Sequence, residues 1–193
     1  FAVTGGLVQE FSPDRVIDTP ISENGFVGVA VGAATSGLRP VVEIMFADFI
    51  ALAADQLINH AAKLRYMTDG QLSVPLTIRV QGGVGGGYGA HHSQSLEAWF
   101  LHVPGLKVVA PCSVDDASGL LAAAIRDDDP VVYLEHRGLY WSKGSIMSHV
   151  DPATIGMAAV VRPGADVTVV AVSRMVQVAM SAAEKLAADG VDV

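Results

Sequence analysis

The chain of 193 residues is 51% hydrophobic and 17% charged, with a formal net charge of -8, which suits a globular protein with a full core and disfavours nonspecific binding to nucleic acid. No Lys/Arg cluster or interleaved aromatic stripe offsets that charge, and no apolar run approaches the roughly 18 residues of a membrane span. The single cysteine, Cys112, excludes an internal disulfide framework and fits a reducing compartment, so the expected location is cytoplasmic.

In chain order, hydrophobic periodicity predicts a strand at RVIDT (15–19), a helix near 24–36, a strand at PVVEIMF (40–46) and a helix near 50–67. A strand at LTIRV (76–80), a short helix near 95–102, a strand at LKVVA (106–110), a helix near 114–126 and a strand at VVYLE (131–135) follow. The strands are continuous Val/Ile/Leu runs rather than alternating ones. That pattern predicts an α/β fold, a doubly wound and mostly parallel sheet with helices on both faces. Gly37 is placed to end the first helix in a left-handed conformation, and Ser113 with Asp116 forms a capping pair for the helix near 114–126. The helix near 50–67 sets Ile50, Ala54, Leu57, Ile58, Ala61 and Leu64 on one stripe, with Asp55, Asn59 and Lys63 opposite.

Between about 136 and 165 the periodicity gives way to Gly, Pro, Ser and polar residues. A new strand and helix are then expected at DVTVVAVS (166–173) and RMVQVAMSAAEKLAADG (174–190). The expected organisation is a domain over 1–140, a linker over 141–165 and the truncated start of a second α/β domain over 166–193, too short to form its own core. The chain reads as a fragment: FAVTGGLVQE opens without Met or a signal-peptide pattern, and VDV at the other end reads as the opening of a strand.

Three segments carry candidate chemistry. In TPISENG (19–25), Glu23 stands in the first turn of a helix, where it complements the helix dipole, and just past a predicted strand, where open parallel sheets place ligands. The Gly-rich stretch GGVGGGYGAHHSQS (82–95) follows a strand and contains Gly85-x-Gly87-x-x-Ala90, a weak dinucleotide pattern with no helix opening on it. Its safer meaning is backbone that approaches a flat ligand closely. His91 and His92 close that stretch; in an extended conformation their rings diverge, which disfavours a shared metal. In EIMFADFIALAADQ (43–56), Phe46 and Phe49 bridge strand and helix and serve either as core or as ligand-stacking rings.

The segments VIDTPISENGFVGVAVGAATSGLRPVVEIMFADF, DQLINHAAKLRYM, HHSQSLEAWFLHVPGLKVVAP and GLLAAAIRDDDPVVYLEHRGLY, in this order, resemble the beta subunit of the decarboxylating component of 2-oxo acid dehydrogenase complexes. Its fold is the transketolase-like pyrimidine-binding domain. The wording is most similar to pyruvate and acetoin dehydrogenase beta chains. The resemblance implies thiamine diphosphate at a subunit interface, with the aminopyrimidine on this chain and the diphosphate, with magnesium, on an alpha chain. The alpha-chain Gly-Asp-Gly motif with downstream paired asparagines is absent here. Glu23 then matches the glutamate that hydrogen-bonds the aminopyrimidine nitrogen and promotes the imino tautomer, Phe49 the ring packed on the pyrimidine, and Ile21 an apolar neighbour. His92 matches the histidine that helps to pass the acyl group to a lipoyl arm. The resemblance further implies a structural potassium on the carbonyls of Leu76, Ala124, Ile125, Asp127 and Asp129. It also implies a two-alpha, two-beta assembly, a lipoyl-bearing acyltransferase partner, and a 2-oxo acid or acetoin as substrate. The alternatives are a non-catalytic assembly subunit of the same fold, or a dinucleotide- or flavin-binding domain resting on the Gly-rich stretch alone.

Overall fold

The structure, a computed structural model, describes residues 3–144 and 153–193. A short helix α1 (Leu7–Phe11) precedes α2 (Glu23–Thr35). The strand expected at 15–19 does not form: the Ser12 carbonyl accepts the N–H groups of both Arg15 and Val16, at 3.2 and 3.0 Å, and curls the chain into a turn. A strand persists only where a neighbour takes its backbone groups, and Ile17 here is 72% exposed. Helix α2 stops as its sequence requires. Gly37 takes φ 96°, letting Leu38 N–H reach the Ala33 carbonyl and Gly37 N–H that of Ala34.

Strand β1 (Val41–Ile44) leads into one continuous helical stretch of changing pitch, a 3-10 segment Ala47–Ala53, a π segment Gln56–Ala61 and then α3 (Ala62–Met67). Ile50, Leu57 and Ala61 are buried and Asp55 and Asn59 exposed, but Ala53 rather than Ala54 takes the fully buried place, because a 3-10 turn advances three residues. Lys63 is anchored, donating to the Pro104 carbonyl at 2.6 Å. Strand β2 (Thr77–Gly82), a 3-10 turn Ala90–His92, α4 (Glu97–Leu101), β3 (Lys107–Val109), α5 (Val114–Arg126), β4 (Val131–His136) and a 3-10 turn Arg137–Leu139 complete this part.

The four strands form one parallel sheet in the order β1-β2-β4-β3. Alternation along each strand divides the side chains between two cores. Ile78, Val80, Val132 and Leu134 face α2 and the 47–67 stretch through Val27, Ile50 and Leu57, each such side chain contributing about 1.5–3 kcal/mol. Val109, Val131 and Tyr133 face α5 through Leu120, Leu121 and Ala124. The same face of β1 and β2 is polar: Arg79 pairs with Glu43 at 3.0 Å and with Glu135 at 2.7 Å, and the Tyr140 hydroxyl donates to Glu135. Burial opposes the charge on Arg79, but its two carboxylate partners win and raise its pKa. At α5, Ser113 Oγ accepts the Asp116 N–H at 3.0 Å, while the Asp116 carboxylate turns back to the Cys112 N–H and thiol.

In the second described stretch, α6 (Arg174–Ala188) forms as expected, but the strand at 166–173 does not. No strand among the described residues lies alongside to complete a ladder. Instead Asp166 and Val167 donate to the Asp192 carbonyl, and the Asp192 N–H donates to the Asp166 carboxylate. The expected linker falls partly on 145–152, outside the described residues. Among the described residues no helix is long and apolar enough to cross a membrane.

Candidate active site

The carboxyl ends of β1, β2 and β4 lie side by side, and the residues just beyond them meet. From β1 come Phe46, Asp48 and Phe49; from β2 the glycine loop 82–89 and the turn bearing His91 and His92; from β4 His136 and Arg137. The His92 ring stands nearly perpendicular to both phenylalanines, with centroids 4.7 Å from Phe46 and 5.2 Å from Phe49. Phe46 and Phe49 are themselves edge to face at 5.8 Å. Such contacts fix ring orientation as well as burying area. Divergent histidine rings are not observed. The chain around His91 and His92 is a 3-10 turn rather than extended, and their rings lie 4.8 Å apart.

Arg137, 7% exposed, ties these pieces together. Its Nε donates to Gln81 Oε1 at 2.8 Å and one terminal nitrogen to the His92 carbonyl at 2.7 Å, while the guanidinium lies 5.3 Å from the Phe46 ring centre and 4.4 Å from that of Tyr88. Gln81 in turn donates to the Met45 carbonyl, and Asp48 accepts from both the side chain and the backbone N–H of Gln94. The glycines serve close approach: a Cβ on Gly83 would come within 2.3 Å of the His136 ring, and one on Gly86 within 1.9 Å of the Tyr88 ring. Burial, helped by nearby Arg174 and Arg137, lowers the pKa of His136 and keeps that ring neutral.

Glu23 stands in the first turn of α2, which packs on the 3-10 segment bearing Phe49. No strand end positions it. It is 9% exposed and makes no hydrogen bond or ion pair to another described residue. Ile21, in the turn before α2, is 89% exposed. Three buried side-chain atoms near the rings lack hydrogen-bond partners among the described residues, His92 Nδ1, Asp48 Oδ2 and Arg137 Nη1. An unpartnered carboxyl, a cluster of ring edges and an unpartnered imidazole nitrogen suit a flat heteroaromatic ring that both donates and accepts protons.

The carbonyls expected to hold potassium lie elsewhere, at the opposite edge of the sheet. Arg39 donates to the carbonyls of Ile125 and Asp127 at 3.2 and 2.8 Å, and the Leu76 carbonyl accepts the Val131 N–H. Asp127 and Asp129 pair with Lys107, and Asp129 also with Arg65. Burial opposes the charge on Asp129, but the two cations hold its pKa below the usual range. This group fits a guanidinium in the place of an ion. Among the described residues no cluster of three or more His, Cys, Asp or Glu could hold one.

Gln81, Asp48 and Arg137 escaped the sequence reading, since single polar residues beside strands are ordinarily solvated. Their signal is position: each stands at the end of a parallel strand or just past it, on the edge where such sheets bind ligands.

The family profile described as transketolase, pyrimidine binding domain, matches residues 1–142, and that described as transketolase, C-terminal domain, matches residues 156–193. The chain is 50% identical over 99% of its length to the pyruvate dehydrogenase E1 component subunit beta-2, mitochondrial, of Oryza sativa, covering 52% of that protein. It is 48% identical over 98% of its length to the acetoin:2,6-dichlorophenolindophenol oxidoreductase subunit beta of Bacillus subtilis, covering 56%. A Rickettsia felis pyruvate dehydrogenase E1 component subunit beta is 46% identical over the whole chain, which covers 59% of it. The chain thus spans a little over half the length of these relatives. Among solved structures, a split gene transketolase described as an inactive beta4 tetramer matches with a TM-score of 0.78 and 24% identity, over 98% of this chain and 59% of that one.

Proposed function

The chain belongs to the transketolase pyrimidine-binding-domain family, and on that premise we propose that it supplies the aminopyrimidine half of a thiamine diphosphate site in the beta subunit of a 2-oxo acid or acetoin dehydrogenase. What supports the reading is the buried, unpartnered His92 Nδ1 between the Phe46 and Phe49 edges, together with Glu23, largely buried in the first turn of the helix that packs on the Phe49 segment. When bound, thiamine diphosphate supplies the carbon nucleophile that attacks the substrate carbonyl.

The rest falls to this chain's side chains. Glu23 would hold a proton at the pyrimidine ring nitrogen. Phe49 and Ile21 would offer apolar contact to the ring. His92, held between two aromatic edges and by its own carbonyl on Arg137, keeps an unpartnered Nδ1 able to hold or move a proton beside the substrate. Acyl transfer to a lipoyl-bearing acyltransferase, a two-alpha, two-beta assembly with magnesium and diphosphate on the alpha chain, and a cytoplasmic location belong to the same proposal. Beta subunits named mitochondrial are among the relatives.

The test is calorimetry of thiamine diphosphate and magnesium against the full-length chain, a candidate alpha chain, and their mixture. Binding is expected only in the mixture. Glu23→Gln in that complex should lower turnover by about 10²–10⁴-fold, the usual weight of a general acid-base group. Full turnover in the variant would remove the mechanism.

A further inference from the structure

Arg137 carries an unanswered charge. Its guanidinium is almost wholly buried, yet it has no carboxylate partner among the described residues, and its third nitrogen, Nη1, has no hydrogen-bond partner there either. Buried charges are ordinarily paired, because an unpaired one forfeits hydration without compensation. The nitrogen that lacks a partner lies under the glycine loop, where a Cβ on Gly86 would stand 2.8 Å from it. A second, exposed guanidinium borders the same loop: Arg174 Nη1 would lie 3.9 Å from a Cβ on Gly85, and it also packs against Gly138, next to Arg137. Arg174 also makes no hydrogen bond or ion pair to a described residue. Two cations therefore border the glycine loop at the edge that holds Phe46 and His92, with the Tyr88 ring packed on both Gly86 and the Arg137 guanidinium.

We propose that Arg137, with Arg174 beside it, recognises the carboxylate of the substrate, so that the chain serves a 2-oxo acid rather than the uncharged acetoin. This rests on the site reading above and deepens it. Nη1 supplies a donor with no acceptor, and a carboxylate reaches it when the Tyr88 ring, which packs on both Gly86 and the guanidinium, moves aside with the loop. A planar guanidinium whose other nitrogens are already fixed by Gln81 and the His92 carbonyl meets a carboxylate at low entropic cost. The carboxylate is held equally before and during attack on the neighbouring carbonyl, so the interaction acts on KM more than on kcat.

Two measurements test this. In the reconstituted full-length complex, Arg137→Gln should raise KM for pyruvate by about 10–100-fold, the usual range for losing one charge-assisted pair, with a much smaller fall in kcat, while Arg137→Lys restores part of the affinity. Equal losses for pyruvate and acetoin, or a fall in kcat alone, would mark a purely structural residue and overturn the proposal. So would a wild-type complex that turns over acetoin but no 2-oxo acid, an outcome that leaves the thiamine site standing. The second measurement needs no turnover. Oxamate, an unreactive pyruvate mimic, should raise the thermal midpoint of the full-length wild-type chain but not of Arg137→Gln, and acetoin should raise neither. The same response in both proteins, or binding of inorganic phosphate without oxamate, would overturn it.

Discussion

The imidazole of His92 meets the ring of Phe46 edge to face, with centroids 4.7 Å apart and planes 86° apart. The same residue's carbonyl is held by Arg137, so both its backbone and its ring are fixed before any ligand arrives. Preorganisation of this kind matters because a displacement of an ångström at a reacting group costs orders of magnitude in rate.

Phe46→Leu keeps apolar volume but removes the edge. It is expected to cost about 1–2 kcal/mol of stability and to slow steps that use His92 more than thiamine diphosphate binding. Thermal melts and parallel measurement of cofactor affinity and turnover separate the two. Equal losses in both would show that the ring contact only supports the fold.

Gly105 has φ 98°, and a Cβ there would stand 2.0 Å from the Ala62 carbonyl oxygen. Gly105→Ala must move backbone, not a side-chain tip. The expected loss is more than about 3 kcal/mol, read as a fall in thermal midpoint of roughly 2–4 °C per kcal/mol for a chain of this size. An unchanged midpoint would mean that helix α3 and the turn before β3 can separate freely.

Burial first, and then the Asp116 carboxylate, push the Cys112 thiol up to about 11. Alkylation by iodoacetamide at pH 8 should run roughly a hundredfold slower than for a free thiol, and Asp116→Asn should speed it. Because folding favours the protonated thiol, its contribution to stability is complete below about pH 9 and lost as the pH rises through about 11. Rapid alkylation of the folded wild-type chain would contradict the geometry at the start of α5.

Arg39 occupies the Ile125 and Asp127 carbonyls. The thermal midpoint should therefore be the same in potassium and sodium chloride at equal ionic strength, and Arg39→Met should create a dependence on potassium. A potassium-specific rise in the wild-type protein would show that an ion and the guanidinium share those carbonyls.

The parallel sheet was legible because its information is local: the runs 41–44, 77–82, 107–109 and 131–136 are rich in β-branched residues, and α5 opens on a capping serine that its own third residue satisfies. RVIDT and DVTVVAVS have the same composition, yet neither becomes a strand. Pairing depends on a neighbour, which no window of a sequence contains. Likewise Glu23, the Phe46/Phe49 pair and the His91/His92 pair stood out as candidates by residue type and position, with the choice among them resting on the family resemblance, whereas Arg137 did not stand out at all. Its burial arises only when β2 and β4 lie side by side and bring Gln81, the His92 carbonyl and two aromatic faces around one guanidinium.

The glycine loop over that guanidinium has one more property. Gly83, Gly85, Gly87 and Gly89 all take positive φ, and around Gly87 and Gly89 there is open space where a side chain would stand. At those two positions the obstacle is chirality rather than room. An L-alanine would strain the backbone, but a D-alanine introduced by chemical ligation would sit in its preferred region and narrow the unfolded ensemble. Every second residue from Gly83 to Gly89 takes the mirror-image half of backbone space, so two positions of the loop can be stiffened only with amino acids of the opposite hand.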